Sequence, residues 1–116
     1  MTDDAAGARY YPAAEMKKGE AVPGVQFWGV RLSKAMLTCF ELQPGARFDK
    51  HQHEAEQITL VLSGRLVFEV GEQRYTLGPG DVIAIPSNVP HAVQVLDGPV
   101  KAVDAWSPPR ESYCRS

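Results

Sequence analysis

The sequence predicts an all-β protein that forms one barrel or sandwich domain. Short apolar segments recur with turn residues between them at intervals of about 8–12 residues, which is typical of antiparallel sheets. None of these segments repeats its apolar residues at the helical period of about 3.6 residues. The length of 116 residues fits a single domain with a modest core. The predicted strands cover residues 25–31, 35–42, 57–63, 65–70, 74–77, 82–85, 91–96 and 100–106.

Composition divides the chain into three parts. Residues 1–20 are mostly small and polar and are predicted to form an N-terminal arm. Residues 21–107 contain all of the predicted strands and form the barrel domain. Residues 108–116 begin with two consecutive prolines, which end regular structure, and are expected to form a C-terminal tail.

The connections between the predicted strands carry recognisable turn residues. Pro44 and Gly45 follow the second strand, with proline at a position that turns favour. Asp97-Gly98 is typical of the tight connection in a hairpin. A glycine inside a strand often marks an irregularity, so Gly29 predicts a bulge or bend in the first strand.

The charge balance and the cysteine content narrow the class of protein. The 12 basic and 14 acidic residues nearly cancel, so the sequence gives no sign of a nucleic-acid-binding surface. No apolar run approaches the ~18 residues of a membrane span, and the start of the chain lacks the basic and apolar regions of a signal peptide. Cys39 and Cys114 lack the spacing of zinc ligands and are expected to be free thiols. These features favour a protein of the reducing cytoplasm that binds a small molecule.

The predicted strand 57–63 has apolar residues on both faces. Ile58, Leu60 and Leu62 lie on one face, whereas Val61 lies on the other. One face should line the barrel interior. The other face requires cover from a second sheet or a second subunit, so the sequence favours a homodimer.

The three histidines of the chain are candidate metal ligands. His51 and His53 are separated by one residue, and the third is His91. On a regular strand, residues i and i+2 point to the same face with Cα atoms ~6.6 Å apart. Two such imidazoles could converge on one metal ion through bonds of ~2.1 Å. Gln57 has the same parity if the strand is regular, whereas a loop or bulge at 54–56 would break this relationship.

The spacing of these residues resembles the first motif of the cupin family. That motif has Gly, five residues, His-x-His, three or four residues, Glu, six residues and Gly. This chain has Gly45, His51, His53, Gln57 and Gly64 at these spacings, with glutamine where the family usually has glutamate. The resemblance implies a single-domain cupin β-barrel, the double-stranded β-helix or jelly roll.

The second cupin motif is also present. It has Gly, five residues, Pro-x-Gly, two residues and His. The chain matches it with Gly80, Pro86 and His91, and Asn88 replaces the middle glycine. Asparagine is among the few other residues that tolerate a positive φ, so this replacement is mild.

Together the two motifs imply a metal site formed by His51, His53, Gln57 and His91. Imidazole ligands accept several divalent transition metals, so nickel, zinc, iron, copper and manganese remain alternatives. Glu56, one position earlier, is the rival to Gln57 as the fourth ligand. Three imidazoles and a carboxamide are all neutral, so the ion would keep its full charge and would favour Lewis-acid chemistry.

The end of the predicted barrel resembles a narrower group, the KdgF-type cupins of pectin and alginate sugar breakdown. The resemblance lies in residues 103–111, and these proteins also carry glutamine as the fourth ligand. It implies conversion of a 4,5-unsaturated monouronate to its linear, ketonised form. Asp104 matches a catalytic acid/base position, Trp106 matches an aromatic position in the substrate pocket, and Arg110 matches an arginine that would bind the substrate carboxylate.

Other interpretations of the same residues remain open. Asp104 could instead pair with a basic residue on its strand, and Arg110 could be a solvated surface charge. The sequence favours a metal-dependent sugar-acid isomerase or lyase. Two alternatives are a metal-dependent dioxygenase that acts on a small aromatic or diketone, and a sensor that binds a small ligand without turnover.

Overall fold

The structure, a computed structural model, describes residues 2–3 and 7–114. It confirms the predicted all-β class, and short 3-10 helices occur at Ala13–Glu15 and Glu111–Tyr113. Among the described residues, no helix is long and apolar enough to cross a membrane. The strands are β1 (Thr2–Asp3), β2 (Arg9–Tyr10), β3 (Gly19–Val22), β4 (Val25–Arg31), β5 (Met36–Leu42), β6 (Arg47–His51), β7 (Glu56–Ser63), β8 (Leu66–Val70), β9 (Gln73–Leu77), β10 (Val82–Ile85), β11 (His91–Gln94) and β12 (Val100–Ser107).

Two antiparallel sheets form the jelly roll. The larger has six strands in the order β10-β7-β12-β5-β4-β3, and the smaller has four in the order β6-β11-β8-β9. Strands β1 and β2 pair with each other in a separate two-stranded ladder. The inner faces of the two large sheets enclose one apolar core, to which the six-stranded sheet contributes Phe40 and Trp106 and the four-stranded sheet contributes Phe68 and Val93.

Strict alternation in β7 and β12 decides which side chains face the interior. In β7 the buried residues are Gln57, Thr59 and Val61, and the residues between them are exposed. In β12, Asp104 and Trp106 are buried among the inward-facing positions. The interior therefore receives polar side chains from two neighbouring strands, at positions where an ordinary core would be apolar.

The strand register brings these polar residues together. In the ladder between β7 and β12, Asp104 lies opposite Thr59, and Trp106 lies opposite Gln57. In the ladder between β6 and β11, His51 lies opposite His91. The candidate site therefore has one group of residues from each sheet.

The sequence predicted a bulge or bend at Gly29, and the structure has no bulge there. The ladder between β4 and β5 is regular from Val25 to Arg31, with Gly29 opposite Thr38. A Cβ at Gly29 would lie 2.2 Å from the carbonyl oxygen of Tyr113. The glycine therefore permits a close approach of the C-terminal segment, which is the other common reason for glycine inside a strand.

Candidate metal centre and active site

The three histidines form one cluster although they do not share a strand. One ring nitrogen of each of His51, His53 and His91 lies within 4.8 Å of the others, so the three could hold a metal ion. The sequence left open whether a regular strand or a loop joins these residues to Gln57, and the structure has the loop. Strand β6 ends at His51, His53 lies in the loop that follows, and β7 begins at Glu56 in the other sheet. The loop, rather than strand parity, brings the side chains together.

Each imidazole is held by a backbone carbonyl. The Nδ1 atoms of His51 and His53 lie 2.8 Å from the carbonyl oxygens of Asp49 and Ala55, respectively. The Nδ1 atom of His91 lies 2.9 Å from the carbonyl oxygen of Val89. A carbonyl oxygen only accepts, so Nδ1 is the donor in each pair. In the neutral ring, Nε2 is then unprotonated and can bind a metal.

The Nε2 atom of His91 has no partner among the described residues. It is fully buried, and the whole residue is only 1% exposed. A buried polar atom without a hydrogen bond costs about 1–3 kcal/mol, so such atoms are rare unless they serve a purpose. Burial also lowers the pKa of His91 to about 4, because it disfavours the charged imidazolium. A neutral, unpaired and buried Nε2 is what a metal site requires, so the cluster fits a metal ion.

Gln57 adds an oxygen to this cluster. Its Oε1 lies 3.1 Å from the Nε2 atom of His53, and its side chain is buried. Burial lowers the pKa of His53, which favours its neutral form. Because Nδ1 of His53 donates to Ala55, Nε2 of His53 is an acceptor, as is Oε1 of Gln57. A cation bound to both atoms would relieve their repulsion. Glu56, the rival fourth ligand, is exposed on the outer face of β7.

Asp104 lies directly behind Gln57. Its Oδ1 accepts a hydrogen bond of 2.5 Å from the Thr59 hydroxyl, and its Oδ2 lies 3.4 Å from Nε2 of Gln57. Burial raises the pKa of the Asp104 carboxyl to about 7, although the Thr59 hydrogen bond and the charge of Arg110 oppose this shift. The carboxyl can therefore hold or release a proton near neutral pH.

Arg110 lies over two aromatic rings at the pocket mouth. The guanidinium carbon is 4.9 Å from the ring centroid of Trp106 and 4.9 Å from that of Tyr113. In the part of the chain that the structure describes, Arg110 forms no ion pair with a carboxylate. Its position is fixed by the two rings, while its planar set of donors remains available to a ligand.

These groups surround one cavity of about 40 Å³. His51 and His91 line it together with Gln57, Asp104, Trp106 and Arg110. The lining residues are Phe40, Leu42, Phe48, His51, Gln57, Thr59, Leu66, Phe68, His91, Val93, Ala102, Asp104, Trp106, Arg110 and Tyr113. His53 contacts the edge of Trp106 at a centroid distance of 5.4 Å.

Two residues of the site were not predicted from the sequence. Thr59 has the same strand parity as Gln57, so the alternation of β7 contained a signal for it. Tyr113 lies beyond the barrel in the predicted tail, and no local pattern indicates that its ring returns to the pocket. The structure therefore extends the predicted set by one buried hydroxyl and one aromatic ring.

Known proteins with similar folds and sequences include several cupin enzymes. The structure of KdgF from Halomonas sp. matches with a TM-score of 0.83 and 27% identity, over 90% of this chain and 96% of that one. The polyketide cyclase RemF from Streptomyces resistomycificus shares the fold, with a TM-score of 0.75 and 22% identity over 87% and 82% of the two chains. Dimethylsulfoniopropionate lyase DddQ from Ruegeria pomeroyi is 40% identical over 63 residues, which cover 53% of this chain and 31% of the lyase.

The family comparison agrees with the fold and with the two motifs. The Cupin_2 family, described as Cupin domain, matches residues 38–106. The matched segment runs from strand β5 to Trp106 and contains the three histidines, Gln57 and Asp104. It covers more than half of the chain, and the structure forms the jelly roll that the resemblance implies. The chain belongs to the cupin family and forms a small cupin domain that resembles KdgF.

Proposed function

We propose that this protein is a metal-dependent enzyme that converts a 4,5-unsaturated monouronate to its linear, ketonised form. One observation carries the proposal: the buried carboxyl of Asp104 and the guanidinium of Arg110, which has no ion-pair partner among the described residues, line the same cavity as His51, His91 and Gln57. The overall similarity to the Halomonas KdgF structure, over nearly the full length of both chains, supports this choice among cupin activities.

The metal would be held by His51, His53, Gln57 and His91. Nickel, zinc, iron, copper and manganese are all compatible with three imidazoles and one carboxamide oxygen. When bound, the divalent ion would supply Lewis-acid polarisation of substrate oxygens. Its charge would not be reduced by a ligand carboxylate, because all four donors are neutral.

Asp104 would transfer the proton that the isomerisation requires. As a carboxylate it takes the proton from the anomeric hydroxyl while the C1 carbonyl forms. The bond between C1 and the ring oxygen breaks, and its electron pair stays on that oxygen as the enolate. Asp104 then returns the proton to C4, and the enolate becomes a ketone. No proton is gained or lost overall, so one buried carboxyl can perform both steps.

Arg110 would bind the substrate carboxylate. A guanidinium forms two parallel hydrogen bonds to a carboxylate, which fixes the orientation as well as the position of the sugar acid. The rings of Trp106 and Tyr113 hold the guanidinium in place at 4.9 Å, so little side-chain freedom is lost on binding. The reacting carbons would then lie between this clamp and Asp104.

The test is to incubate the metal-loaded protein with unsaturated galacturonate and to follow the loss of ring-alkene absorbance. The expected result is a rate above that of buffer, which disappears after treatment with a chelator and in the Asp104→Asn variant. A rate equal to that of buffer would contradict the proposal. Tight binding of the sugar acid without turnover would favour a sensor instead.

The identity of 40% to the dimethylsulfoniopropionate lyase over 63 residues favours a second candidate function. Dimethylsulfoniopropionate, the substrate in that enzyme's name, is also a small carboxylate. Arg110 and Asp104 would keep the same roles in that reaction. Loss of dimethylsulfoniopropionate in the presence of metal-loaded protein, with unsaturated galacturonate unchanged, would select this candidate.

The proposal includes self-association through the outer face of the six-stranded sheet. Leu60 on β7 lies between Val103 on β12 and Val82 on β10, so a row of apolar side chains crosses the sheet. Leu60 is 36% exposed and Val82 is 56% exposed. A contiguous apolar face of this kind usually marks an interaction surface, and a second copy of the chain would cover it.

A further inference from the structure

We propose that Thr59 is a positioning residue that, together with Asp104, orients the carboxamide of Gln57 so that its oxygen faces the histidines. The inference depends on the metal site of the proposed function. It adds a specific requirement to that site: the amide nitrogen of the fourth ligand must donate a hydrogen bond to a hydroxyl on the side away from the histidines. Thr59 touches neither the substrate nor the ion in this scheme and acts only through Gln57.

The distances around the carboxamide determine which end is nitrogen. Nε2 of Gln57 lies 2.9 Å from the Thr59 hydroxyl oxygen and 3.4 Å from Oδ2 of Asp104. The amide nitrogen has two hydrogens and accepts nothing, so it fits between two oxygens. The reverse orientation would place the amide oxygen against the Asp104 carboxyl and would leave no oxygen of Gln57 facing the histidines. The oxygen end therefore faces His53, at 3.1 Å.

The Thr59 hydroxyl has a single hydrogen, which fixes the donor and the acceptor in each of its hydrogen bonds. The hydroxyl donates to Oδ1 of Asp104 at 2.5 Å, and its lone pairs accept from Nε2 of Gln57. Thr59 is only 1% exposed, so water cannot replace either bond. A β-branched side chain on a strand also has few rotamers, which keeps the hydroxyl in this position.

This arrangement explains the glutamine at the fourth ligand position. A glutamate at position 57 would place a carboxylate oxygen against the Thr59 oxygen and against the Asp104 carboxyl. With Asp104 ionised, only one hydrogen, that of Thr59, would then lie among these oxygens, whereas the carboxamide adds two more. The sequence alone suggested that glutamine preserves the charge of the ion. The structure adds a second reason, because the amide nitrogen is needed as a donor towards Thr59 and Asp104.

The experiment compares cobalt binding by two variants of the full chain. Thr59→Val keeps the shape of the side chain and removes the hydroxyl, whereas Thr59→Ser keeps the hydroxyl. Co²⁺ is titrated into metal-free protein, and both the affinity and the visible absorption spectrum are measured. We expect Thr59→Val to bind Co²⁺ about 10–100-fold more weakly with an altered spectrum, as is typical when a group that orients a ligand is removed. Thr59→Ser should retain the wild-type spectrum and affinity.

The outcomes separate this inference from the metal site itself. If the wild-type protein does not bind Co²⁺, the metal site and the inference both fail. If the wild-type protein binds Co²⁺ and Thr59→Val binds it equally well with the same spectrum, only the inference is overturned. Circular dichroism of the metal-free proteins checks folding.

A measurement on the wild-type protein covers the case in which Thr59→Val does not fold. Both carboxamide protons of Gln57 should exchange slowly with solvent in NMR spectra, because both are donated inside the barrel. Rapid exchange of these protons would contradict the proposed orientation.

Discussion

The rings of Trp106 and Tyr113 lie parallel, with an angle of 3° between their planes and 5.8 Å between their centroids. Offset stacking at this distance is favourable for two aromatic rings. The segment after β12 therefore folds back across the pocket, and Tyr113 also contacts the edges of Phe27 and Phe40. Both stacked rings line the cavity of the candidate site.

Gly29 is predicted to control the docking of Tyr113. In Gly29→Ala the new methyl group would lie 2.2 Å from the Tyr113 carbonyl oxygen, which is far inside van der Waals contact. We expect the segment to move away and to expose Trp106 to solvent. The measurement is tryptophan fluorescence in a Trp28→Phe background, where Trp106 is the remaining one of the two tryptophans. The emission should shift to longer wavelength.

Two comparisons show whether this shift arises from Tyr113. Gly78→Ala is the matched control, because its Cβ would approach no closer than 3.8 Å to the Asp81 carboxylate, and its emission should stay unchanged. Tyr113→Ala should produce the same shift as Gly29→Ala, because it removes the stacked ring directly. A normal spectrum in both Gly29→Ala and Tyr113→Ala would refute the docking role.

Arg110→Lys is predicted to weaken substrate binding more than catalysis. Lysine keeps the charge but loses the planar pair of donors and the stacking on Trp106 and Tyr113. Hydrogen bonds to charged groups contribute about 1.5–3 kcal/mol, so KM for unsaturated galacturonate should rise roughly 10–100-fold. The carboxylate is present in both the ground state and the transition state, so kcat should change much less.

The control for this substitution is Arg74→Lys, an exposed arginine on β9 in the other sheet. Its kinetic constants should equal those of the wild-type protein. A large loss of kcat with an unchanged KM in Arg110→Lys would mean that Arg110 acts in the chemical step rather than as a clamp.

The sequence predicted the fold and the candidate metal ligands better than it predicted the geometry of the site. Histidine and glycine spacing indicated the jelly roll, and the alternation in β12 placed Asp104 on the same face as Trp106. The local path from His53 to Gln57 stayed open between a regular strand and a loop or bulge, because the sequence does not reveal where a ladder ends and a loop begins. Tyr113 could not be predicted because its carbonyl contact with Thr38 joins positions 75 residues apart. Such contacts depend on the assembled barrel.

Asp104 is predicted to make the metal-free protein less stable as the pH rises. Burial raises the pKa of its carboxyl from 3.8 to about 7 in the folded state. Between these values the folded state holds a proton that the unfolded state has released, so the free energy of unfolding decreases with increasing pH. An asparagine does not titrate. The stability of Asp104→Asn relative to the wild-type protein should therefore increase by roughly 3 kcal/mol from pH 5 to pH 8.

The measurement is urea unfolding of both proteins at several pH values in the presence of a chelator. His91 acts in the opposite direction, because burial lowers its pKa from 6.5 to about 4 and stability is lost as the pH falls through this range. This contribution is common to both proteins and cancels in their difference. Stability curves that run parallel from pH 5 to pH 8 would show that Asp104 does not hold a proton in the folded state.

The outer face of the six-stranded sheet is predicted to form a homodimer interface. Leu60 lies at the centre of the apolar row that Val103 and Val82 extend on either side. Burying such side chains against a second copy would gain about 25 cal/mol per Å² of apolar surface. A glutamate would instead place a charge in that interface without a partner, which costs far more than the lost apolar contact. Sedimentation should therefore give twice the chain mass of 12.7 kDa for the wild-type protein and the single mass for Leu60→Glu.

A second substitution and a control test whether the effect is specific to this face. Val82→Glu changes a 56% exposed position on the edge strand β10 and should also give the monomer without disturbing the core. Tyr75→Glu replaces a 45% exposed aromatic residue on the four-stranded sheet and should remain dimeric. If the wild-type protein is a monomer, or if both substitutions on the six-stranded sheet leave the dimer intact, this face is not the interface. Since Leu60 points away from the cavity while Thr59 points into it, the monomeric variants should still bind Co²⁺ with wild-type affinity.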